Sequence, residues 1–178
     1  MDGALHSAGL GATCFGQSMN ARSISAIALS LGFFVFNTPI ATAADGPLSH
    51  FAGSWSGSGK IVVKDGASER IRCRSTNASK GEGLTLSLRC ASDSYKFELA
   101  SDISYEGGKI SGSWNETSRG VVGSLSGQAT ASNIQATAQA IGFTAGLSIR
   151  ATGNSMAVSI RSPGSEISEV SISMAKGR

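Results

Sequence analysis

The chain has 178 residues, with 15 Lys+Arg against 12 Asp+Glu. So small a basic excess neither requires nor excludes an acidic partner. The length suits one domain with a modest core.

The first third differs in composition from the rest. Arg22 precedes an apolar run from Ile24 to Phe36, which leads through Pro39 to Ala41-Thr42-Ala43. A cation, a short apolar stretch and a small-x-small site form the pattern of a secretory signal peptide. The run is shorter than the roughly 20 apolar residues a spanning helix needs. The pattern predicts cleavage after Ala43. Residues 1–43 are then an N-terminal extension and signal peptide that is removed, with Met19 a better start than Met1, and residues 44–178 are the mature domain. The expected address is the periplasm or the exterior of a bacterial envelope. Cleavage removes Cys14 and leaves Cys73 and Cys90, an even pair predicted to form a disulfide in an oxidising compartment.

From Gly53 onward apolar and polar residues alternate strictly, the period-two mark of half-buried strands. Trp55, Ile61 and Val63 share a parity, with Gly57 and Gly59 between them. Ile71 and Cys73 oppose Arg70, Arg72 and Arg74. Leu84, Leu86, Leu88 and Cys90 follow, then Tyr95, Phe97 and Leu99, then Ile110 and Trp114. Small residues dominate the next inward set, which includes Gly123, Gly127, Ala129, Ala131, Ala136, Ala138, Ala140 and Ala145. Leu147 and Ile149, Met156 to Ile160, and Val170 to Met174 complete the series. Turn chemistry separates the runs at Asp65-Gly66, Gly81-Glu82, Gly107-Gly108, Gly153-Asn154 and Pro163-Gly164, since such pairs accept positive φ. The chain is predicted to be all-β, an antiparallel up-and-down meander of about 8–10 strands closed into a barrel that leaves no edge. Alternation alone also permits an inverted barrel with apolar residues facing lipid. The mature chain has too few aromatics for two girdles, so the expectation is a domain that does not span a membrane.

The stretch Phe51 to Gly59, FAGSWSGSG, decides between a phosphate loop, a linker and an opening strand. A Walker loop needs Gly, four residues, then Gly-Lys-Ser/Thr; here five residues separate Gly53 from Gly59, and Ile61 follows Lys60. Trp55 is in phase with Ile61 and Val63, which excludes a linker. A first strand remains, bent at its glycines. Gly53-x-Trp55 near the mature N-terminus resembles the signature that opens the lipocalin and calycin barrels, and Gly53-x-Trp55-x-Gly57-x-Gly59 is similar to the start of the nitrobindin-like barrels. The mature chain as a whole resembles small exported alphaproteobacterial proteins with a Gly-Ser-Trp opening and a Cys pair, whose function is uncharacterised. The lipocalin resemblance implies that Trp55 closes one barrel end against a basic side chain from a late strand, for which Arg150 and Arg161 are the candidates. The C-terminal haem-binding His of nitrobindin-like barrels has no counterpart.

Groups able to carry chemistry are sparse. His50 is the only histidine after Ala43 and precedes the first strand. No Cys/His cluster has zinc spacing. The sequence GSLSG at Gly123–Gly127 places Leu125 where a nucleophile elbow needs Ser, and Ser173-Met174-Ala175-Lys176 falls on a strand, not a helix. No carboxylate is read at an inward position among apolar residues. The expectation is therefore no enzyme, no metal and no cofactor. Arg70, Arg72, Arg74 and Arg89 form an outward basic stripe, with Arg74 opposite Arg89 and Arg70 opposite Asp93. The stripe is either a solvated face or a docking patch for an envelope protein or an anionic surface. No aromatics interleave with it as nucleic-acid stacking requires. The function read from these features is an exported, non-catalytic, lipocalin-like barrel for a small hydrophobic ligand, lined by Trp55, Phe97, Trp114 and Phe143. The alternative is a protein-interaction barrel with a filled core, an exported inhibitor or envelope structural protein.

Overall fold

The computed structural model describes residues 46–178; the expected signal peptide and its expected cleavage after Ala43 lie outside the described residues. A 3₁₀ turn, Ser49–Phe51, precedes ten strands: β1 Gly53–Val63, β2 Ser68–Lys80, β3 Gly83–Ala91, β4 Lys96–Glu106, β5 Lys109–Glu116, β6 Val121–Ala129, β7 Asn133–Ala140, β8 Phe143–Thr152, β9 Ser155–Arg161 and β10 Ile167–Lys176. Each strand pairs antiparallel with its chain neighbours and β10 returns to pair with β1, so the meander closes and no edge is left open. The all-β barrel expected from the alternation is the fold observed. All five turns read from sequence join consecutive strands.

The apolar parity is the inner one. Trp55, Ile61, Ile71, Leu84, Ile110 and Ile134 are nearly inaccessible, while Arg70, Arg72, Arg74 and Arg89 alternate with buried neighbours and are exposed. Two corrections apply to the inward set. Ala131 lies in the exposed turn between β6 and β7 and not inside. The interior is also not apolar throughout: Ser75, Asn77 and Glu116 point inward and are buried.

Glycines set the cross-section. An ideal Cβ on Gly57 would sit 2.0 Å from the Ser173 carbonyl oxygen of β10, and one on Gly59 1.9 Å from that of Ser171. Across the barrel, a Cβ on Gly123 or Gly127 would meet the carbonyls of Gln139 or Gln135 on β7 at 2.1 Å. No side chain fits at such approaches, so these glycines let neighbouring strands fold sharply against each other. Gly112 on β5 and Gly83 on β3 approach the Asp102 and Ile103 carbonyls of β4 almost as closely, at 2.1 and 2.2 Å, so the tight bends are spread round the ring, with two each on the diametrically opposite β1 and β6. Bending β1 is the role of the FAGSWSGSG stretch.

Candidate functional site

The barrel's two ends are built differently. At the end where β1 begins and β10 finishes, residues 46–52 run across the opening. Gly46 packs on the β2–β3 turn at Gly81, and the His50 ring reaches the β6–β7 turn, its Nδ1 donating to the Ala131 carbonyl at 2.9 Å. Between these points the 3₁₀ turn sends Leu48 and Phe51 into the barrel, each only 1% exposed. The Phe51 carbonyl is the polar anchor. It accepts the Trp55 indole N–H at 3.0 Å and the Asn77 amide N–H at 2.8 Å, and the Ser75 hydroxyl donates to Asn77 Oδ1. Buried polar atoms are tolerable when each is partnered in this way.

Trp55 therefore closes an end, as the lipocalin-like opening implies. Its basic companion is neither Arg150 nor Arg161, both of which are exposed. Lys176 holds that position, its ammonium 5.3 Å from the centroid of the Trp55 ring, in the cation–π range. The signal was present in the sequence: Lys176 is in phase with Ile172 and Met174, whereas Arg150 and Arg161 alternate out of phase with Ile149 and Ile160. Trp55 is thus part of the plug and does not line the accessible interior.

At the opposite end no segment crosses the opening among the described residues. Ile61 and Ala145 are fully buried here, but several larger inward apolar side chains stay partly accessible although they point into a closed barrel. Leu88, Leu99, Phe97, Phe143, Val158 and Val170 are all half-buried. Trp114 and Phe143 meet edge to face with ring centroids 5.7 Å apart, and the Trp114 indole N–H donates to the Ser124 carbonyl at 3.0 Å. Phe97 stacks on Tyr95 at 6.3 Å, and the Arg119 guanidinium lies 5.0 Å over its ring. Three of the four residues assigned to a ligand site therefore share this end, and two of them touch.

The rim of the open end has two halves. On one, Glu69 accepts from the Ser92 hydroxyl and the Ser94 N–H, the Lys64 N–H donates to the Glu166 carbonyl, and the Tyr95 hydroxyl donates to the Glu166 carboxylate. Burial, then the Glu166 charge, raises the Tyr95 phenol above its ordinary value and keeps it a donor. On the other half, Val121, Val122 and Ile141 stand in solvent, Ile141 fully so at the tip of the β7–β8 turn. Between the halves sits Glu116, the inward carboxylate that the sequence reading missed. Burial alone would raise its pKa, but N–H donors from Glu98, Ser118 and Arg119 outweigh it and hold the group below its ordinary value. Both oxygens are committed to the β4 edge and the β5–β6 turn, so Glu116 shapes the rim. Its position two residues beyond Trp114 was the available signal.

The cysteines are direct cross-strand partners on β2 and β3, bridged with Cα atoms 4.1 Å apart. Arg74 faces Arg89 as expected. Arg70 does not face Asp93: β3 ends at Ala91, where Ser92 turns the chain toward Glu69, and the β1 partner of Arg70 is Lys60.

No family model and no curated protein matches the chain. Solved structures do. Rv2717c from M. tuberculosis superposes with a TM-score of 0.57 at 16% identity, covering 74% of this chain and 95% of its own. The S-type phycobiliprotein lyase CpeS from Guillardia theta gives 0.53 at 13% identity, covering 74% and 90%. At such identities the likeness is one of fold. It also corrects the expectation that the chain is not an enzyme: a barrel of this architecture is, by name, a lyase, so a lack of recognisable catalytic motifs does not set this fold apart from catalysis.

Proposed function

We propose that the chain is an exported ligand-binding barrel that holds a small hydrophobic molecule inside its open end. One observation carries the reading: one barrel end is plugged by Leu48, Phe51 and Trp55, whereas Phe97 and Phe143 at the other end point inward and keep partial solvent access. Accessible space lined by methyl and ring carbons loses little by exchanging weakly held water for an apolar guest. Phe97, Trp114 and Phe143 would line it, and the exposed Val122 and Ile141 give an apolar molecule a route in over the rim. Export is supported by the cation, apolar run and Ala41-Thr42-Ala43 site, and by the disulfide, which reducing compartments rarely sustain.

Native mass spectrometry of protein purified from its own envelope tests the proposal. The expected spectrum shows a mature chain starting at Ala44 with an apolar molecule retained at one per chain. Apo protein that takes up no fatty acid or other lipid on titration would contradict it. A filled-core interaction barrel is the second reading. It is favoured by the tight approaches of Gly57 and Gly59 to β10 and of Gly123 and Gly127 to β7, which bend the sheet sharply and narrow the barrel.

A further inference from the structure

The outer wall formed by β1, β2 and β3 carries Lys60, Arg70, Arg72, Arg74 and Arg89, all exposed, and no acid at any outward position. Two of the cross-strand pairs set like charges directly opposite: Lys60 with Arg70, and Arg74 with Arg89. Such pairs destabilise a sheet, and among the five cations Arg89 alone has a carboxylate across from it, Glu98 on β4, which offsets its repulsion in part. Among the described residues the ion pairs are Lys80–Asp102 and Lys96–Glu98, so Glu98, which faces Arg89 across β3–β4, is already engaged by Lys96. On the β10 side Glu169 lies opposite Arg161. Cations in the middle of the wall thus repel each other without a carboxylate among them.

The spacing and the neighbours narrow the partner. Arg70, Arg72 and Arg74 recur every second residue, about 7 Å apart along the strand, and adjacent strands lie about 4.8 Å apart. Between the cations stand hydroxyls: Ser58 opposite Arg72, Ser56 opposite Arg74, and Thr76 opposite Ser87. Arg70 already takes the Ser58 hydroxyl as an acceptor at 3.4 Å. Aromatic side chains for base stacking are missing from the outward positions of these strands, which disfavours nucleic acid. Bilayer docking combines cations with adjacent apolar side chains. The exposed apolar residues Val121, Val122 and Ile141 instead belong to β6 and the β7–β8 turn, on the far side of the ring from β1 and β2. One flat bilayer does not meet both surfaces.

We infer that this wall binds an acidic polysaccharide, its carboxylates or sulfates bridging the opposed cations while the interleaved serines and threonines bond to sugar hydroxyls. Arginine suits the role because its planar fork engages oxyanions in two-point contacts. The test passes the purified full-chain product over immobilised heparin and immobilised polygalacturonate. Anionic phospholipid vesicles and a single-stranded oligonucleotide serve as competitors. The wild type is expected to bind both polysaccharides, with affinity falling steeply as salt rises, as counterion release requires. Replacing Arg72→Ser with Arg74→Ser is expected to weaken binding tenfold or more and flatten the salt dependence. Replacing Lys109→Ser with Arg161→Ser removes the same net charge from β5 and β9, outside this wall, and is expected to leave binding unchanged. Urea midpoints no lower than that of the wild type verify that both double variants are folded. Equal loss from the two pairs, no retention by either polysaccharide, or preferential capture by vesicles or oligonucleotide would overturn the inference.

Discussion

The two ends of this barrel start from the same material, alternating strands with apolar residues inward, and reach opposite solutions. At one end, seven residues before β1 cross the opening, bury Leu48 and Phe51, and use a single carbonyl, that of Phe51, to satisfy Trp55 and Asn77. At the other, polar ties run round one half of the rim and Phe97, Phe143 and Val170 remain partly wet. Closure of the sheet is therefore separate from closure of its interior. A meander removes its own edges, but an end is sealed only where the sequence supplies a segment to cover it.

That contrast predicts unequal tolerance to mutation. Trp55→Ala removes the largest buried side chain of the plug and is expected to cost about 3–5 kcal/mol, read as a lowered urea midpoint. An unchanged midpoint would mean that the plug does not hold the end closed. Reduction or double Ser replacement of Cys73 and Cys90, separated by 17 residues, is expected to cost about 3 kcal/mol through the freed unfolded chain. Thiol titration of the unfolded, unreduced protein should find neither cysteine free.

Glu116 gives a smaller effect with a pH signature. Its folded pKa lies below the ordinary 4.5 because backbone N–H groups bind the carboxylate. The stability it contributes is complete above about 4.5 and is lost as pH falls through the lower, folded value. Glu116→Gln is expected to cost about 1–3 kcal/mol at neutral pH, and its deficit relative to wild type should shrink below 4.5. A deficit constant down to strongly acid pH would refute the assignment. Smallest of all, Ile141→Ser at the open rim is expected to change stability by less than about 0.5 kcal/mol, since the side chain is fully exposed.

Much of this architecture was legible in the sequence because a strand's period of two maps directly onto inside and outside. A closed meander of about 8–10 strands, ten in the structure, and the Arg74–Arg89 juxtaposition follow from parity and turn positions, and the Cys73–Cys90 pairing follows once the even cysteine count is added. What parity does not encode is which residues meet across the interior or at the ends. Lys176 was passed over in favour of Arg150 and Arg161, although only Lys176 is in phase with the inward face. Glu116 was missed because its burial depends on N–H donors from the β5–β6 turn and from β4, a set that exists only once the hairpins are formed. Arg70 was assigned to Asp93 by extending β3 past Ala91, where Glu69 and Ser92 turn the chain away. The bend at Gly57 and Gly59 was readable, but the strand they approach was not.

The difference between the ends, and the ligand reading that rests on it, is tested most directly by tryptophan fluorescence, because each end carries one indole. Titrating the purified protein with a brominated fatty acid, and repeating it on Trp55→Phe and Trp114→Phe, reads the two ends separately. The account predicts saturable quenching that persists in Trp55→Phe, where only the open-end Trp114 emits, and disappears in Trp114→Phe. Quenching confined to Trp55, or none that saturates in any of the three proteins, would contradict it.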